Sequence, residues 1–266
     1  DGWEQVWVDE FDGDGLDTRS WSVETWPARF VNDEDQAYTA QQKNVRTVNG
    51  QLVLDAHYEG GTDAAYTSGR VHSAGKRSLH NGRVDVRARV PEGRGVWPAI
   101  WFLPEDPFRY ATRCGLEVGE WQGNADCDAW PNSGEIDLME HVGNQPGIVH
   151  GTVHTRDYFG GLGTQIGEAI AVPGLGREFQ VYSLVWQEGA MAMYVDGHRY
   201  FAYRDAGDGS GQWPFEQPFH VILNLAVGGF WGREGGPIDQ SAFPRRLEID
   251  YVRFFKPRIN DGEADQ

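Results

Sequence analysis

The stretch Arg-Val-Asp-Val-Arg-Ala-Arg-Val at residues 83–90 alternates charged and apolar side chains without a break. Because successive side chains of a strand point to opposite faces, the stretch predicts a strand with one buried face. Similar runs recur at residues 4–11, 51–57, 96–103, 148–155, 182–186, 191–195, 220–227 and 247–255. No convincing amphipathic helix interrupts them. The sequence therefore predicts an all-β fold, and its many short strands favour a β-sandwich.

Turn signals separate these runs and show how the chain is organised. Asn49-Gly50, Asn81-Gly82 and Asp196-Gly197 are typical of tight turns, and the last follows a strand that would form a hairpin. A length of 266 residues suits one all-β domain or two small ones. We find no repeat and no linker, so the prediction is a single domain over residues 1–256. Residues 257–266 are polar and acidic, and we expect a loose tail or the start of a linker there.

The charge balance narrows the class of partner. There are 23 Lys and Arg against 40 Asp and Glu, a net charge of −17. This disfavours nucleic acid and anionic membrane surfaces, and weakly disfavours a polyanionic substrate. No run of about 18 apolar residues predicts a membrane span. No signal peptide precedes Asp1, and we expect a mature, processed form of a secreted protein, acting as a monomer.

Two cysteines occur, Cys114 and Cys127, within the long irregular stretch 105–129. A disulfide between them is plausible and would fit an extracellular protein, whereas two free buried cysteines are the alternative. The stretch leads directly into an acidic strand, so we expect it to border a cleft.

That acidic strand reads Gly-Glu-Ile-Asp-Leu-Met-Glu-His-Val-Gly at residues 134–143. Glu135 and Asp137 share one face of a regular strand, and Glu140 falls on the other. A bulge at Leu138-Met139 would add one residue and bring all three acids onto one surface. Clustered carboxylates keep one proton near neutral pH, as glycoside hydrolysis requires. The alternative is a solvated strand face or a cation site.

The acidic run resembles the active-site signature of glycoside hydrolase family 16, in its bulged form. The chain is similar to bacterial endo-β-1,3-glucanases (laminarinases) of that family over nearly its whole length, including Gly-Val-Trp-Pro-Ala-Ile-Trp at 95–101. The other matching segments are 8–13, 32–34, 36, 38–39, 68–70, 150–154, 194–197, 223–229 and 250–253. The resemblance implies a jelly-roll sandwich of two curved antiparallel sheets, concanavalin A-like, with a concave cleft for the sugar chain.

The resemblance also implies roles for individual residues. Glu135 would be the nucleophile of a retaining hydrolase, Glu140 the acid and base, and Asp137 would tune the pair, with no cofactor for catalysis. The residues that match glucan-binding positions are Asn32, Glu34, Arg70, Trp97, Trp101, Trp130, His154, Asn224 and Trp231. The alternative for each Trp is packing in the core, because Trp is a common core residue. The alternative for each polar residue is a structural hydrogen-bonding role. We expect no metal ligation by His154, because no second ligand stands at the usual spacing.

Many members of the family hold a structural calcium ion, and Glu10, Gly50 and Asp250 match its ligand positions. Exposed strand charges are the alternative for the two acids. The chain departs from the family at Phe230, where laminarinases often carry Asn, and in the length of the 105–129 stretch. The expected substrate is β-1,3-glucan and also mixed β-1,3/1,4-glucan. The alternatives are a glucan-recognition protein without activity, a relative acting on agar or carrageenan, and a transglycosylase.

Overall fold

Two β-sheets face each other across one apolar core in residues 2–258, the part of the chain that the computed structural model describes. The strands in chain order are β1 (Trp3–Asp9), β2 (Ser22–Val23), β3 (Gln36–Tyr38), β4 (Val45–Val48), β5 (Gln51–Tyr58), β6 (Tyr66–Ser68), β7 (Arg70–His72), β8 (Ser78–Leu79), β9 (Gly82–Arg89), β10 (Val96–Pro104), β11 (Glu135–Glu140), β12 (Ile148–His154), β13 (Ile166–Ala171), β14 (Gln180–Gln187), β15 (Ala190–Val195), β16 (His198–Arg204), β17 (Phe219–Val227) and β18 (Arg245–Pro257). Two short helices are α1 (Ala129–Asn132) and α2 (Gly229–Gly232), and 3₁₀ turns lie at Leu116–Val118, Gly160–Leu162 and Gln240–Ala242.

The strands form a back sheet and a cleft sheet. The back sheet has the order β16-β15-β14-β9-β18-β5-β6-β3, with β1 beside β18 and β4 beside β5. The cleft sheet has the order β13-β12-β11-β10-β17-β7-β2, with β8 beside β17. Within residues 2–258 the one parallel pair of strands is β3 with β6. The predicted all-β jelly-roll sandwich is confirmed.

Strand β9 shows why the alternating sequence gives this fold. Its Val84, Val86 and Ala88 are buried in the core between the sheets. On its other face, Arg87 Nη1 lies 2.5 Å from Asp250 Oδ2, and Arg89 Nε lies 2.6 Å from Glu248 Oε2. One face is therefore held by burial and the other by ion pairs to β18.

The hairpin turns follow their sequence signals. Asp196 and Gly197 have φ of +47° and +79° and join β15 to β16. Asn49 and Gly50 have φ of +53° and +71° and join β4 to β5. Two successive positive φ values match the twist of paired strands, and Asn-Gly and Asp-Gly tolerate them.

The last strand runs to Pro257, one residue past the predicted domain boundary, and the Arg258 N–H donates to the carbonyl of Gly2. Residues 259–266 of the predicted tail lie outside the described residues. Among the described residues, no helix has the length and apolar character needed to cross a membrane.

Candidate active site

The bulge predicted in the acidic strand is present. Between β11 and β12, Asp137 pairs with Thr152 and Glu140 with His150, so two residues of β11 oppose one of β12. The ladder to β10 skips Leu138 in the same place. Because the extra residue restores the phase of the strand, all three acids line the cleft and Ile136, Leu138 and Met139 enter the core.

Each catalytic candidate has an aromatic or imidazole neighbour. The indole of Trp130 donates to Glu135 (Nε1–Oε2, 2.9 Å) and that of Trp97 donates to Glu140 (Nε1–Oε1, 2.9 Å). His154 Nε2 lies 3.3 Å from Asp137 Oδ2 and 3.7 Å from Glu135 Oε1. The backbone N–H of Gly160 donates to His154 Nδ1 (3.1 Å), so a neutral His154 carries its proton on Nε2 and points it at the acids.

Burial raises the pKa of all three carboxyl groups above their usual range. The charge of Asp137 raises the pKa of Glu135 further, and that of Glu140 raises the pKa of Asp137. In the opposite direction, the Trp97 N–H lowers the pKa of Glu140 and His154 lowers that of Glu135. Three acids this close cannot all be ionised near neutral pH, so they retain at least one proton.

The hydrogen-bond donors differ from one acid to the next. Glu135 and Glu140 each accept an indole N–H, which favours their ionised forms. Asp137 Oδ2 is buried and has no hydrogen bond of good geometry within residues 2–258, although His154 Nε2 lies 3.3 Å from it. A hydrogen bond between Glu135 and Asp137 raises the pKa of Glu135 and lowers that of Asp137. A protonated Asp137 donates to a neighbouring carboxylate and also removes the negative charge that raises the pKa of Glu135.

A buried polar chain supports the cleft floor beside the acids. The Trp101 indole donates to Asn224 Oδ1 (2.7 Å), and Asn224 Nδ2 donates to the hydroxyl oxygen of Tyr38 (2.9 Å). Glu34 accepts from Asn32 Nδ2 (3.1 Å) and Gln36 Nε2 (2.7 Å). Burial raises the pKa of Glu34 despite these donors. These hydrogen bonds therefore fix the orientation of Trp101 and Glu34 before a ligand binds.

Arg70 is held in a similar way. Its guanidinium carbon lies 4.3 Å from the ring centroid of Trp26 and 4.9 Å from that of Trp101. Its Nη2 donates to Gln122 Oε1 (3.0 Å). Arg70 is buried, and its Nε has no hydrogen-bond partner among the described residues. These contacts fix the guanidinium where Arg70 lines the cleft.

The cleft has a volume of about 820 Å³ and brings together every predicted glucan-binding residue. Those residues are Asn32, Glu34, Arg70, Trp97, Trp101, Trp130, His154, Asn224 and Trp231. Trp231 packs against Trp97 with ring centroids 5.5 Å apart, and Phe159 packs against Trp130 at 5.6 Å. Aromatic surface therefore lies on both sides of the acids.

The irregular stretch 105–129 forms a wall of this cleft, as predicted. Cys114 and Cys127 are joined by a disulfide with their Cα atoms 5.1 Å apart. Asp128 accepts from the backbone N–H groups of Thr112 (2.9 Å) and Arg113 (2.8 Å), which fixes the base of the loop. Trp121 and Gln122 line the cleft from its tip.

The calcium candidates do not offer free carboxylates. Arg253 Nη2 lies 2.7 Å from Glu10 Oε1, and Arg87 holds Asp250. Gly50 lies in the turn between β4 and β5. Asp250 sits at an irregularity in the pairing of β18 with β9, where a backbone carbonyl can leave the ladder. An ion would therefore suit the Asp250 backbone oxygen, and its contact with Glu10 would require Arg253 to move.

The structure also shows groupings that the sequence did not indicate. One ligand atom from each of Glu135, Asp137 and His154 lies within 4.8 Å of the others, although spacing alone gave His154 no partner. Phe159 and Gln122 line the cleft and Trp26 packs on Arg70 without any local motif, because all three lie in loops. His141, which directly follows β11, is buried with Nδ1 2.7 Å from the Ile148 carbonyl.

Comparison with known proteins agrees with this geometry. The family model "Glycosyl hydrolases family 16" matches residues 32–253. The chain is 42% identical over 261 residues to the "Beta-glucanase" of Rhodothermus marinus, covering 96% of this chain and 85% of that protein. It is 36% identical to "Glucan endo-1,3-beta-glucosidase A1" of Niallia circulans, covering 96% of this chain and 38% of that protein. The X-ray structure of the laminarinase from Rhodothermus marinus superposes with a TM-score of 0.85 at 41% identity, covering 97% of this chain and 98% of the other. The chain belongs to family 16 of the glycosyl hydrolases.

Proposed function

We propose that this chain is a retaining endo-hydrolase that cleaves β-1,3-linkages within glucan chains, with mixed β-1,3/1,4-glucan as a second substrate. The observation that carries the proposal is the bulge in β11, which sets Glu135, Asp137 and Glu140 side by side in an aromatic-walled cleft. Two carboxyl groups on one surface are what a double displacement needs. Relatives named for activity on β-glucan and laminarin support the choice of substrate.

In the first step, Glu135 attacks the anomeric carbon and Glu140 protonates the departing oxygen. The attacking carboxylate must be ionised, and the indole of Trp130 and the imidazole of His154 favour that form of Glu135. Glu140 must be protonated, and burial raises its pKa accordingly. In the second step, ionised Glu140 takes a proton from water, which attacks the glycosyl-enzyme.

Asp137 lies between these two groups and serves as their proton reservoir. The residue is 2% exposed, so its carboxyl exchanges protons with its neighbours more readily than with solvent. When protonated, it lets Glu135 stay negative without a like charge beside it. No cofactor enters this chemistry, because protein carboxyl groups supply the nucleophile and the proton.

The glucan chain would lie across β7, β17, β10 and β11. Trp97, Trp101, Trp130 and Trp231 offer flat faces for the apolar faces of glucose rings, whereas Arg70, Glu34 and Asn32 offer hydrogen bonds to hydroxyl groups. His154 lies next to the acids. Asn224 lies at the floor of the cleft, where it accepts the hydrogen bond from Trp101. Because these polar groups are fixed by the protein before binding, little conformational entropy is lost when sugar binds.

The test is incubation of the purified protein with laminarin, lichenan, agarose and κ-carrageenan, with products resolved by length and the first-formed anomer read by proton NMR. The proposal predicts short oligosaccharides from laminarin that start in the β-configuration. A protein that binds laminarin without shortening it is the recognition protein. Cleavage of agarose or κ-carrageenan alone would replace the glucan assignment. Products longer than the substrate supplied would reveal transglycosylation.

We further propose a structural calcium ion held by Glu10, Gly50 and Asp250, remote from the chemistry. The irregular backbone at Asp250 supports it, and Glu10 would join the site when Arg253 moves away. Secretion is proposed from the disulfide between Cys114 and Cys127 and the acidic surface. We also propose that residues 1–256 act as one catalytic domain and as a monomer.

A further inference from the structure

The carbonyl of Leu138 loses its place in the sheet because of the catalytic bulge. In the ladder to β10, Ile100 pairs with Met139 and Trp101 with Asp137, so Leu138 has no partner there. On the other side, Gly151 alone stands opposite the two bulged residues. A buried backbone carbonyl that leaves a ladder needs another donor.

That donor is Tyr200, which comes from β16 of the back sheet. Its hydroxyl donates to the Leu138 carbonyl, across the core from the cleft. Gly151 makes the approach possible: a Cβ at this position would lie 2.6 Å from Tyr200 Cε2 and 2.8 Å from the sulfur of Met193. The hydrogen bond from Tyr200 to the bulge therefore depends on the absence of a side chain at Gly151.

We infer that Tyr200 is a positioning residue of the active site, which holds the bulge of β11 in the register that puts Glu135, Asp137 and Glu140 on one surface. The inference rests on the proposed function. Without the bulge, Glu140 falls on the opposite face of the strand, because each single-residue shift reverses the side chains. The hydroxyl of Tyr200 therefore acts on the reaction without touching substrate.

The surroundings of Tyr200 keep its hydroxyl a donor. Burial raises the pKa of Tyr200 well above its usual value, and Tyr182 of β14 and the Asp137 and Glu140 carboxyl groups of β11 raise it further. The phenol is therefore neutral at any pH at which the acids work. Its hydrogen bond to Leu138 holds the phenol against the residue that follows Asp137 in the chain.

The test compares Tyr200→Phe with Tyr203→Phe. Tyr203 is a matched control: it lies on the same strand and donates to the carbonyl of Gln212 (2.6 Å), away from the acids. Misplaced reacting groups reduce turnover, so Tyr200→Phe should lower kcat on laminarin about 10- to 100-fold. KM should stay within about twofold, since the sugar contacts lie on other residues. Tyr203→Phe should keep both constants at the wild-type level.

A second readout does not depend on activity. With ¹³C-labelled Asp and Glu carboxyl groups, Tyr200→Phe should shift the NMR titration of the coupled acids, and Tyr203→Phe should not. Gly151→Ala pushes the Tyr200 ring aside and should reproduce both effects; it decides the matter if Tyr200→Phe does not fold. A folded Tyr200→Phe with wild-type kcat and carboxyl titration overturns the inference. If the wild-type protein is inactive on laminarin, the proposed function alone is overturned. The role of Tyr200 is then tested by the carboxyl titration.

Discussion

The indole N–H of Trp97 lies 2.9 Å (Nε1–Oε1) from Glu140, the proposed acid of the first step. This hydrogen bond favours the ionised form of Glu140, while burial favours the protonated form. The balance between them sets how far the pKa of Glu140 is raised, and therefore where activity is lost at high pH.

Trp97→Phe should move the alkaline limb of the pH profile of kcat/KM to higher pH. Removing the N–H removes a group that lowers the pKa of Glu140, so this carboxyl keeps its proton to a higher pH. The acid limb, set by the nucleophile, should stay in place. Trp186→Phe, in the back sheet, is the control for loss of a buried indole. If the alkaline limb of Trp97→Phe stays in place or moves to lower pH, the proposed role of Glu140 is contradicted.

Glu140→Ala should separate substrates by their leaving groups. General acid catalysis contributes about 100-fold or more to departure of a sugar alkoxide, so turnover of laminarin should fall by at least that factor. An aryl β-glucoside oligomer with an acidic phenol needs little protonation and should lose much less. Equal losses on the two substrates would remove Glu140 from the acid role.

Cys127→Ser should loosen the loop over residues 105–129. In the chain-entropy model a disulfide closing a loop of this size contributes about 3 kcal/mol. Trp121 and Gln122 depend on that loop for their place in the cleft, and Gln122 accepts from Arg70. We expect KM to rise more for long oligosaccharides than for the shortest productive ones, with the same result for Cys114→Ser. Equal KM values for wild type and variants at every length would show that the loop does not bind sugar.

Chelation should lower the melting temperature if calcium binds through Glu10, Gly50 and Asp250. An ion that binds only the folded state at 100 times its dissociation constant adds about 2.7 kcal/mol. Laminarin hydrolysis at low temperature should be unaffected, and Glu10→Gln should remove the response to chelator. A wild-type melting temperature that is the same with and without chelator rules out the site.

The longer strands were predictable because apolar residues either alternate along them or fill them almost completely. In β9 buried apolar residues largely alternate with charged ones, whereas β10 and β17 are buried almost throughout and are mostly apolar in sequence. The two-residue strands β2 and β8 carry no such pattern, because neighbouring strands rather than their own side chains define them. Edge strand β16 shows no clear alternation because much of it faces solvent, and only the Asp196-Gly197 turn predicted it, as the second strand of a hairpin.

The acids were predictable because three carboxylates stand in one apolar run, where burial is costly unless they serve chemistry. Trp26 and Gln122 were not, since they reach Arg70 from separate loops. Tyr200 was hidden for another reason. Its contact with Leu138 joins residues 62 apart across two sheets, and nothing local marks a tyrosine in an alternating strand as special.

The most direct test of the central claim is to trap the glycosyl-enzyme. An activated 2-deoxy-2-fluoro-laminaribioside should form the intermediate and release it slowly, because fluorine destabilises the oxocarbenium-like transition state. Peptide mapping by mass spectrometry should then place the added disaccharide on Glu135. Glu135→Gln, with an unchanged circular dichroism spectrum, should carry no label and show no hydrolysis of laminarin. A label on another residue, or active wild-type enzyme that takes no label and releases inverted products, would contradict the account.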